Sequence, residues 1–348
     1  MMNKLWEKLK KTLLVNPGIF QNQDISRKKV SKKKGIPIEK KYLVSVSDFR
    51  HGLNIEIYRS SCEEMVIELQ GIDLSLINSL RRILLSETMT LAIHKVFFYD
   101  NSSILNDEFI AHRLGLVPIN FPPDLIDFFS KKNLKEDQRL IFELKLSHSG
   151  KLVKRISIFS NSLKWKSYGL IGPFVKNSSV NPVFRDVLIL KLNPGQKINC
   201  ECHCILGIGT MHSKFSPVGT VFYRIFPKIK IINEITGKKA DNFFRKCPVR
   251  VFDVEETPRI PLKKLVASSP RFCTFCKECL TSGSSKIPFI RLGRLKNKVS
   301  FVIESTGVLS PEILFHRAVF LLVGKCNDAL ANLYENFSPI NSKHQGSK

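Results

Sequence analysis

The residues of this sequence best suited to chemistry are three evenly spaced cysteines. Cys273, Cys276 and Cys279 form a C-x2-C-x2-C motif, a spacing that lets three thiolates converge on one metal centre while the chain turns around it. A fourth sulfur ligand must come from elsewhere, and Cys247 is the natural candidate. Zinc sites usually contain two separate C-x2-C pairs, so the motif favours an iron–sulfur cluster, with zinc as second choice and cysteines that bind no metal as the third alternative.

A second group of cysteines alternates with polar residues. Cys200, Cys202 and Cys204 lie in the segment CECHC, so in a β-strand the three sulfurs face one side while Glu201 and His203 face the other. Free cysteine is among the most buried residue types, and we therefore predict that these three pack in a core rather than bind metal. Because no export signal is present, the nine cysteines are interpreted as thiols or metal ligands and not as disulfides.

Other residues that could act as acids or bases lack suitable neighbours. Glu108, His112 and Arg113 are predicted to lie on one short helix over 107–114, with no nucleophile beside them. The glycine-flanked segment around 207–217 does not have the G-x-x-x-x-G-K-S/T spacing of a phosphate-binding loop. The sequence therefore predicts no intrinsic catalytic residues.

The chain is strongly basic. Its 348 residues include 55 Lys and Arg against 30 Asp and Glu, which gives 55 − 30 = +25. The excess is concentrated in residues 1–41, which we expect to form a basic, disordered tail. This charge favours a polyanion nearby, with solvated surface lysines as the alternative. No run of about eighteen apolar residues and no secretory signal is present, so a secreted or membrane-spanning protein is not expected.

Short strands are predicted along much of the chain. Apolar residues alternate with polar ones at 53–57 and 65–69, as in half-buried strands, and the runs 140–146 and 187–192 are further candidates. The segment 234–285 is punctuated by prolines and is predicted to be irregular, with no long helix.

Two helices are predicted to carry a continuous apolar face, one over 73–87 and one over 311–335. Asp73 is a suitable N-cap for the first, and Pro311 suits the first turn of the second. A helix with such a face needs a surface on which to dock, and periodicity alone does not distinguish the chain's own core from a partner. The apolar residues are Leu76, Ile77, Leu80, Ile83 and Leu84 in the first helix, and Leu314, Ala318, Leu321, Leu322 and Leu330 in the second.

Four motifs occur in an order that matches a known family. They are GIDLSLINSLRRILLSE at 71–87, DEFIAHRLGLVPI at 107–119, GIGTMHSKFSPVGTVFYR at 207–224 and FVIESTGVLSPEIL at 301–314. Together they resemble the alpha-like subunits of multisubunit RNA polymerases. The likeness covers roughly residues 42–335 and is greatest to the larger alpha-like subunit shared by nuclear RNA polymerases I and III.

The resemblance implies an α+β fold in which an alpha-like dimerisation domain is split by an inserted, mainly-β domain. A small loop-rich subdomain would carry the cysteines. The implied divisions are a dimerisation domain at 42–98 and 220–335, an insert at 99–219, a cysteine subdomain at 234–296 and flexible tails at 1–41 and 336–348.

The resemblance also implies a function in assembly. Such a subunit pairs with a small alpha-like subunit, and the pair then seats the two large catalytic subunits. It would contact DNA only through the holoenzyme, and no contact with a membrane is expected. It would act in the nucleus, in nucleolus and nucleoplasm, in transcription of rRNA, 5S rRNA and tRNA genes. No cofactor is required for this function, although some relatives, archaeal ones especially, carry an iron–sulfur cluster in a comparable subdomain.

Residue roles follow from the same resemblance. The two apolar helices match the elements that build the family's dimer interface, with packing in the chain's own core as the alternative. Contacts to the other polymerase subunits are expected from Arg81, Arg82, His112, Arg113, His212, Lys214 and Phe215.

Three other functions stay open on sequence alone. The corresponding subunit of RNA polymerase II typically has zinc cysteines early in its insert, and residues 99–199 contain no cysteine, which argues against that paralogue. An iron–sulfur redox enzyme would need catalytic groups that the sequence does not show. A free-standing nucleic-acid-binding protein would explain the charge, but no recognition motif accompanies it.

Overall fold

The computed structural model describes residues 46–121, 140–149, 154–166, 180–256, 263–280 and 289–337. Strands are numbered β1 to β14 and helices α1 to α5 along the described chain. The predicted tail at 1–41 and most of that at 336–348 lie outside the described residues. The fold is α+β with antiparallel sheets, as the sequence predicts.

The first sheet joins distant parts of the chain in the order β1-β2-β14-β11. Its strands are Asn54–Ser60, Glu64–Gln70, Ile290–Ser305 and Val218–Ile231 respectively. One face is apolar because Met65, Ile67 and Leu69 occupy alternate positions on β2 and meet Phe301 on β14. This inner face forms part of the main hydrophobic core.

The second sheet has the order β3-β10-β5-β7. Its strands are Met89–Asn101, Lys197–Ile208, Leu140–Ser147 and Lys164–Lys166 respectively. Three two-stranded sheets complete the β structure, formed by β4 (Ile119–Asn120) with β8 (Asn181–Pro182), β6 (Ile156–Phe159) with β9 (Leu188–Leu192), and β12 (Phe252–Glu256) with β13 (Lys263–Ala267).

Five helices lie among these strands in the described residues: α1 (Val46–Gly52), α2 (Leu74–Ser86), α3 (Asp107–Gly115), α4 (Lys238–Lys246) and α5 (Pro311–Phe337). Helix α2 begins as predicted, because the Asp73 carboxylate accepts a hydrogen bond from the Ser75 N–H at 2.7 Å. That bond lowers the pKa of Asp73. Helices α2 and α5 contact each other, and both pack on the first sheet.

The structure differs from the sequence prediction in two places. Within 234–285 it contains the nine-residue α4 and the β12–β13 hairpin, because Ala240 and Phe243 bury a small second core there. Helix α3 extends one residue beyond the predicted range 107–114 to the buried Gly115, and Leu116 follows as the C-cap. No described helix has the length and apolar character needed to cross a membrane.

Candidate functional site

The predicted interface residues of the two apolar helices divide into three groups by burial. Six of them are buried in the chain's own core, namely Ile77, Leu80, Ile83, Leu84, Leu314 and Ala318. Intramolecular packing on the first sheet therefore accounts for this face of each helix. Leu321 and Leu322 are partly buried against the same core, while Leu76 and Leu330 are exposed.

The second half of α5 leaves the core. All residues from 325 to 334 are exposed, and the helix of 27 residues is about 40 Å long. Phe320, Val323, Asn327, Leu330 and Tyr334 follow each other at intervals of three and four residues, which places them on one face. Phe320 is 65% exposed and Tyr334 70% exposed. This face is the largest set of apolar side chains that a described helix presents to solvent, and its spacing is that of a helix-pairing seam.

The predicted contact residues near α2 and α3 also have different environments. The Arg81 guanidinium donates to Asn78 Oδ1 through Nε at 3.2 Å and through a terminal nitrogen at 2.9 Å. Arg113 donates to the backbone oxygen of Ile189 at 3.0 Å and also to that of Leu188. Arg113 therefore ties α3 to β9. Exposed positions among the predicted contacts here are Arg82 and His112.

The segment 209–215 connects the two sheets and closes the end of α2. Both the N–H and the hydroxyl of Thr210 donate to the Ser86 carbonyl, at 2.9 and 2.8 Å, so they satisfy an acceptor that the helix leaves free. The Lys214 amine donates to the Ile93 carbonyl at 2.7 Å, and burial lowers its pKa. Phe215 is fully buried. Lys214 and Phe215 therefore support the fold, and only His212 of the three predicted contacts here is exposed.

The Gly209→Ala substitution is expected to destabilise the protein where the segment 209–215 packs against the end of α2. A Cβ atom at Gly209 would lie 2.2 Å from the Leu85 carbonyl oxygen, so the backbone has to shift. Overpacking of this kind costs about 1–3 kcal/mol of unfolding free energy, which denaturant titration measures. Gly219→Ala is the matched control, because its nearest contact would be 3.9 Å from Glu304 O. Equal free energies of unfolding for the two variants would show that the close packing of Gly209 against Leu85 does not matter for stability.

The alternating cysteines lie where the sequence predicts. Cys200, Cys202 and Cys204 are buried in the core on one face of β10, while Glu201 and His203 lie on the other face. Burial raises the pKa of Cys204, so the thiol stays protonated. These three cysteines are core residues.

The four candidate metal ligands come together. Cys247, Cys273, Cys276 and Cys279 line one small cavity, although the first is far from the others in sequence. Cys247 is held by α4, which ends beside it, and its Sγ accepts a hydrogen bond from the Val251 N–H at 3.3 Å. Backbone N–H donors of this kind stabilise a thiolate.

The backbone around these cysteines is shaped for convergence. Arg250, Phe275 and Lys277 have φ values of 51°, 58° and 67°, and they are the described non-glycine residues with positive φ. Each is close in sequence to one of the four cysteines, and left-handed backbone at non-glycine residues is a feature of functional sites. Among the described residues, no group of three or more His, Cys, Asp or Glu side chains is placed closely enough to hold a metal ion.

The Cys279 thiol is held in its protonated form. Burial raises the pKa of Cys279 to about 11, and the proximity of Cys273 and Cys276 adds to this rise. A second thiolate next to the first is unfavourable without a positive charge between them. A thiophilic metal or cluster bound at this cavity would have to displace the thiol protons.

Comparisons with known proteins identify the family. Residues 96–222 match the RNA polymerase Rpb3/RpoA insert domain. The subunit rpac1 of DNA-directed RNA polymerases I and III from Dictyostelium discoideum is 36% identical over 291 residues, which cover 81% of this chain and 82% of that protein. The chain belongs to the RPAC1 family of RNA polymerase subunits.

Two further relatives agree with this placement. Human RPAC1 is 32% identical over 299 residues, 82% of this chain and 86% of that protein. The RNA polymerase II subunit rpb3 of Dictyostelium discoideum is 28% identical, over 84% of this chain and 98% of that protein. Identity is thus higher to the shared subunit of polymerases I and III than to this polymerase II subunit, as the absence of cysteine from 99–199 indicates.

Sequence reasoning missed part of the exposed surface of this RPAC1-family chain. Phe320, Val323 and Tyr334 were not among the predicted interface residues, because one apolar stripe on α5 had already been assigned. A second apolar series at intervals of three and four residues was the available signal.

Proposed function

We propose that this chain is a non-catalytic assembly subunit of nuclear RNA polymerases I and III. It pairs with a small alpha-like subunit, and the pair seats the two large catalytic subunits for transcription of rRNA, 5S rRNA and tRNA genes in nucleolus and nucleoplasm. DNA contact belongs to the holoenzyme. The observation that carries the proposal is the exposed apolar face on the second half of α5.

The two halves of helix α5 differ in their surroundings, and this difference suits the helix to pairing with a helix of a partner subunit. The first half is fixed to the chain's own sheet by Leu314 and Ala318, and Lys325 pairs with Glu87 at 2.5 Å where the helix leaves the core. The second half is therefore presented in a defined direction with its apolar face uncovered. Asn327 within that face suits a role in fixing the register of two paired helices.

A second surface is available for the large subunits. Around α3, Ile104, Phe109 and Leu116 are exposed beside His112, and Arg113 holds this helix rigidly on β9. An apolar patch on a rigid support is typical of a protein interface. We assign this patch, with Arg82 and His212, to contacts with other polymerase subunits.

Native purification tests the proposed function. The tagged chain is isolated under mild salt from its own cells, and every stoichiometric partner is identified by mass spectrometry. We expect the large subunits of both polymerases I and III together with one small alpha-like subunit. Polymerase II subunits alone, or no polymerase subunit, would contradict the proposal.

We further propose that Cys247, Cys273, Cys276 and Cys279 hold an iron–sulfur cluster, with zinc as the second choice. The convergence of the four thiols on one cavity supports this assignment. When bound, the group supplies a structural crosslink between α4 and the loop at 273–279. Its role in this chain is to hold the subdomain together, and assembly itself does not require it.

A further inference from the structure

A cleft of about 360 Å³ lies beside the cysteine loop and adjoins the cavity between the sulfurs, with which it shares Cys273 and Thr274. One wall is formed by residues 223–227 of β11, and the other by residues 271–275 of the loop. Arg294 and Ser300 of β14 line it as well. Its volume is in the range of sites that bind small ligands or a few side chains of a partner.

The cleft is cationic. Its lining includes Arg224, Arg271 and Arg294 and no acidic residue. Arg271 forms an ion pair with Glu68, and Lys298 pairs with the same carboxylate at 3.1 Å. The negative charge of Glu68 is thus already shared between the positive charges of Arg271 and Lys298. Within the described part of the chain, Arg224 and Arg294 have no acidic partner.

Two of the three cleft arginines, Arg271 and Arg294, contact aromatic rings. The Arg271 guanidinium stacks 3.3 Å from the centroid of Tyr58, and the Arg294 guanidinium lies 5.2 Å from that of Phe275. Stacking orders a long side chain before a ligand binds, so less conformational entropy is lost on binding. The planar guanidinium then presents paired N–H donors that fit a carboxylate.

An exposed aromatic residue extends the cleft along the outer face of the first sheet. Arg224 is paired with Ser300 and Phe222 with Val302, so Phe222 and Arg224 project from the same face of β11 two residues apart. Phe222 is 42% exposed although Val302 beside it is buried. An apolar contact and a cationic cleft are therefore adjacent.

We propose that this cleft binds an extended acidic segment of a partner protein, with an Asp or Glu carboxylate between Arg224 and Arg294 and an apolar residue on Phe222. Like charges in a concave, partly apolar site repel each other, and a carboxylate relieves that repulsion while accepting charge-assisted hydrogen bonds. A narrow cleft with aromatic walls suits single side chains better than the regularly spaced phosphates of a duplex. The site lies on the sheet face opposite the one covered by α2 and α5, so it does not depend on pairing through α5.

Site-directed photocrosslinking tests this assignment. The photoreactive phenylalanine analogue p-benzoylphenylalanine replaces Phe222 in the full-length tagged chain, the native assembly is irradiated, and the crosslinked peptide is sequenced. We expect a single segment with Asp or Glu within about four residues of the crosslink. Arg224→Glu and Arg294→Glu are each expected to lower the yield about tenfold or more, since each replaces attraction by repulsion.

Matched variants separate the outcomes. Lys230→Glu changes an exposed basic residue on the same strand outside the cleft, and it is expected to leave the yield unchanged. Recovery of the small alpha-like subunit reports assembly through α5 in every sample. If a glutamate variant fails to assemble, Arg224→Gln and Arg294→Gln remove the charge alone and are expected to lower the yield about threefold or more. A crosslink to nucleic acid, to a segment without acidic residues, or with a yield insensitive to both arginines would overturn the proposal, as would no crosslink.

Discussion

Replacing Leu330 by aspartate is expected to abolish pairing with the small alpha-like subunit while leaving the chain folded. Leu330 lies in the middle of the exposed face of α5, so in a paired helix its side chain would be enclosed by apolar groups. Burying an unpaired carboxylate is strongly unfavourable, and truncation of a central interface residue alone costs about 2 kcal/mol or more, roughly a 30-fold rise in Kd. Co-purification and isothermal titration of the two subunits measure the loss.

Ala329→Asp is the matched control for this experiment. Ala329 is also exposed and directly precedes Leu330, but it projects about 100° away from it around the helix. The same charge at this position is expected to leave pairing within about threefold of the parent chain, as for surface substitutions elsewhere. If Leu330→Asp pairs as well as Ala329→Asp, the exposed face of α5 is not the interface.

Leu80 illustrates why substitutions among the buried apolar residues of α2 cannot test pairing with the small subunit. It is only 5% exposed and packs in the core between α2 and the first sheet, so a carboxylate there would destabilise the chain itself. Loss of pairing in such a variant would follow from unfolding. Interface probes therefore have to come from residues that the folded chain leaves exposed.

Local patterns in the sequence predicted several elements and the grouping of four cysteines. Period-two alternation predicted β1 and β2, and Asp73 with the apolar series after it predicted α2. The even spacing of Cys273, Cys276 and Cys279 predicted convergence, Cys247 was predicted to join them, and all four line the same cavity. Each of these inferences uses residues whose relation is fixed by a turn or a strand pleat.

Features that depend on sheet order could not be predicted in this way. Periodicity identifies an apolar face but not the surface that covers it, so the burial of Ile77 and the exposure of Phe320 had to come from the structure. Arg224 and Arg294 are widely separated in sequence and line one cleft only because β11 and β14 are neighbours in one sheet. Long-range pairing of this kind leaves no local pattern.

If the four cysteines hold the proposed metal, the Cys276→Ser/Cys279→Ser double variant is expected to lose it together with the compactness of the cysteine subdomain. These residues provide half of the four thiols around the cavity, and the second core beside it is small. A structural metal in a small domain contributes much of its folding free energy. We expect metal content below about a tenth of that of the parent chain and faster proteolysis between 247 and 280. Elemental analysis of anaerobically purified protein measures the first, and limited trypsin digestion the second.

Cys62→Ser provides the control, because Cys62 is exposed and distant from the cavity, so metal content is expected to stay unchanged. Visible charge-transfer absorption with bound iron would identify an iron–sulfur cluster, whereas zinc without absorption would identify the second choice.

The affinity of the four cysteines for the metal is expected to fall as the pH is lowered, because the raised pKa of Cys279 makes protons compete with the metal for its sulfur. Equal metal in the parent and the double variant, or none in the anaerobic parent, would show that the four cysteines do not form a metal site. Loss of metal with full recovery of polymerase subunits would instead show that the crosslink stabilises the subdomain and that assembly rests on the helices.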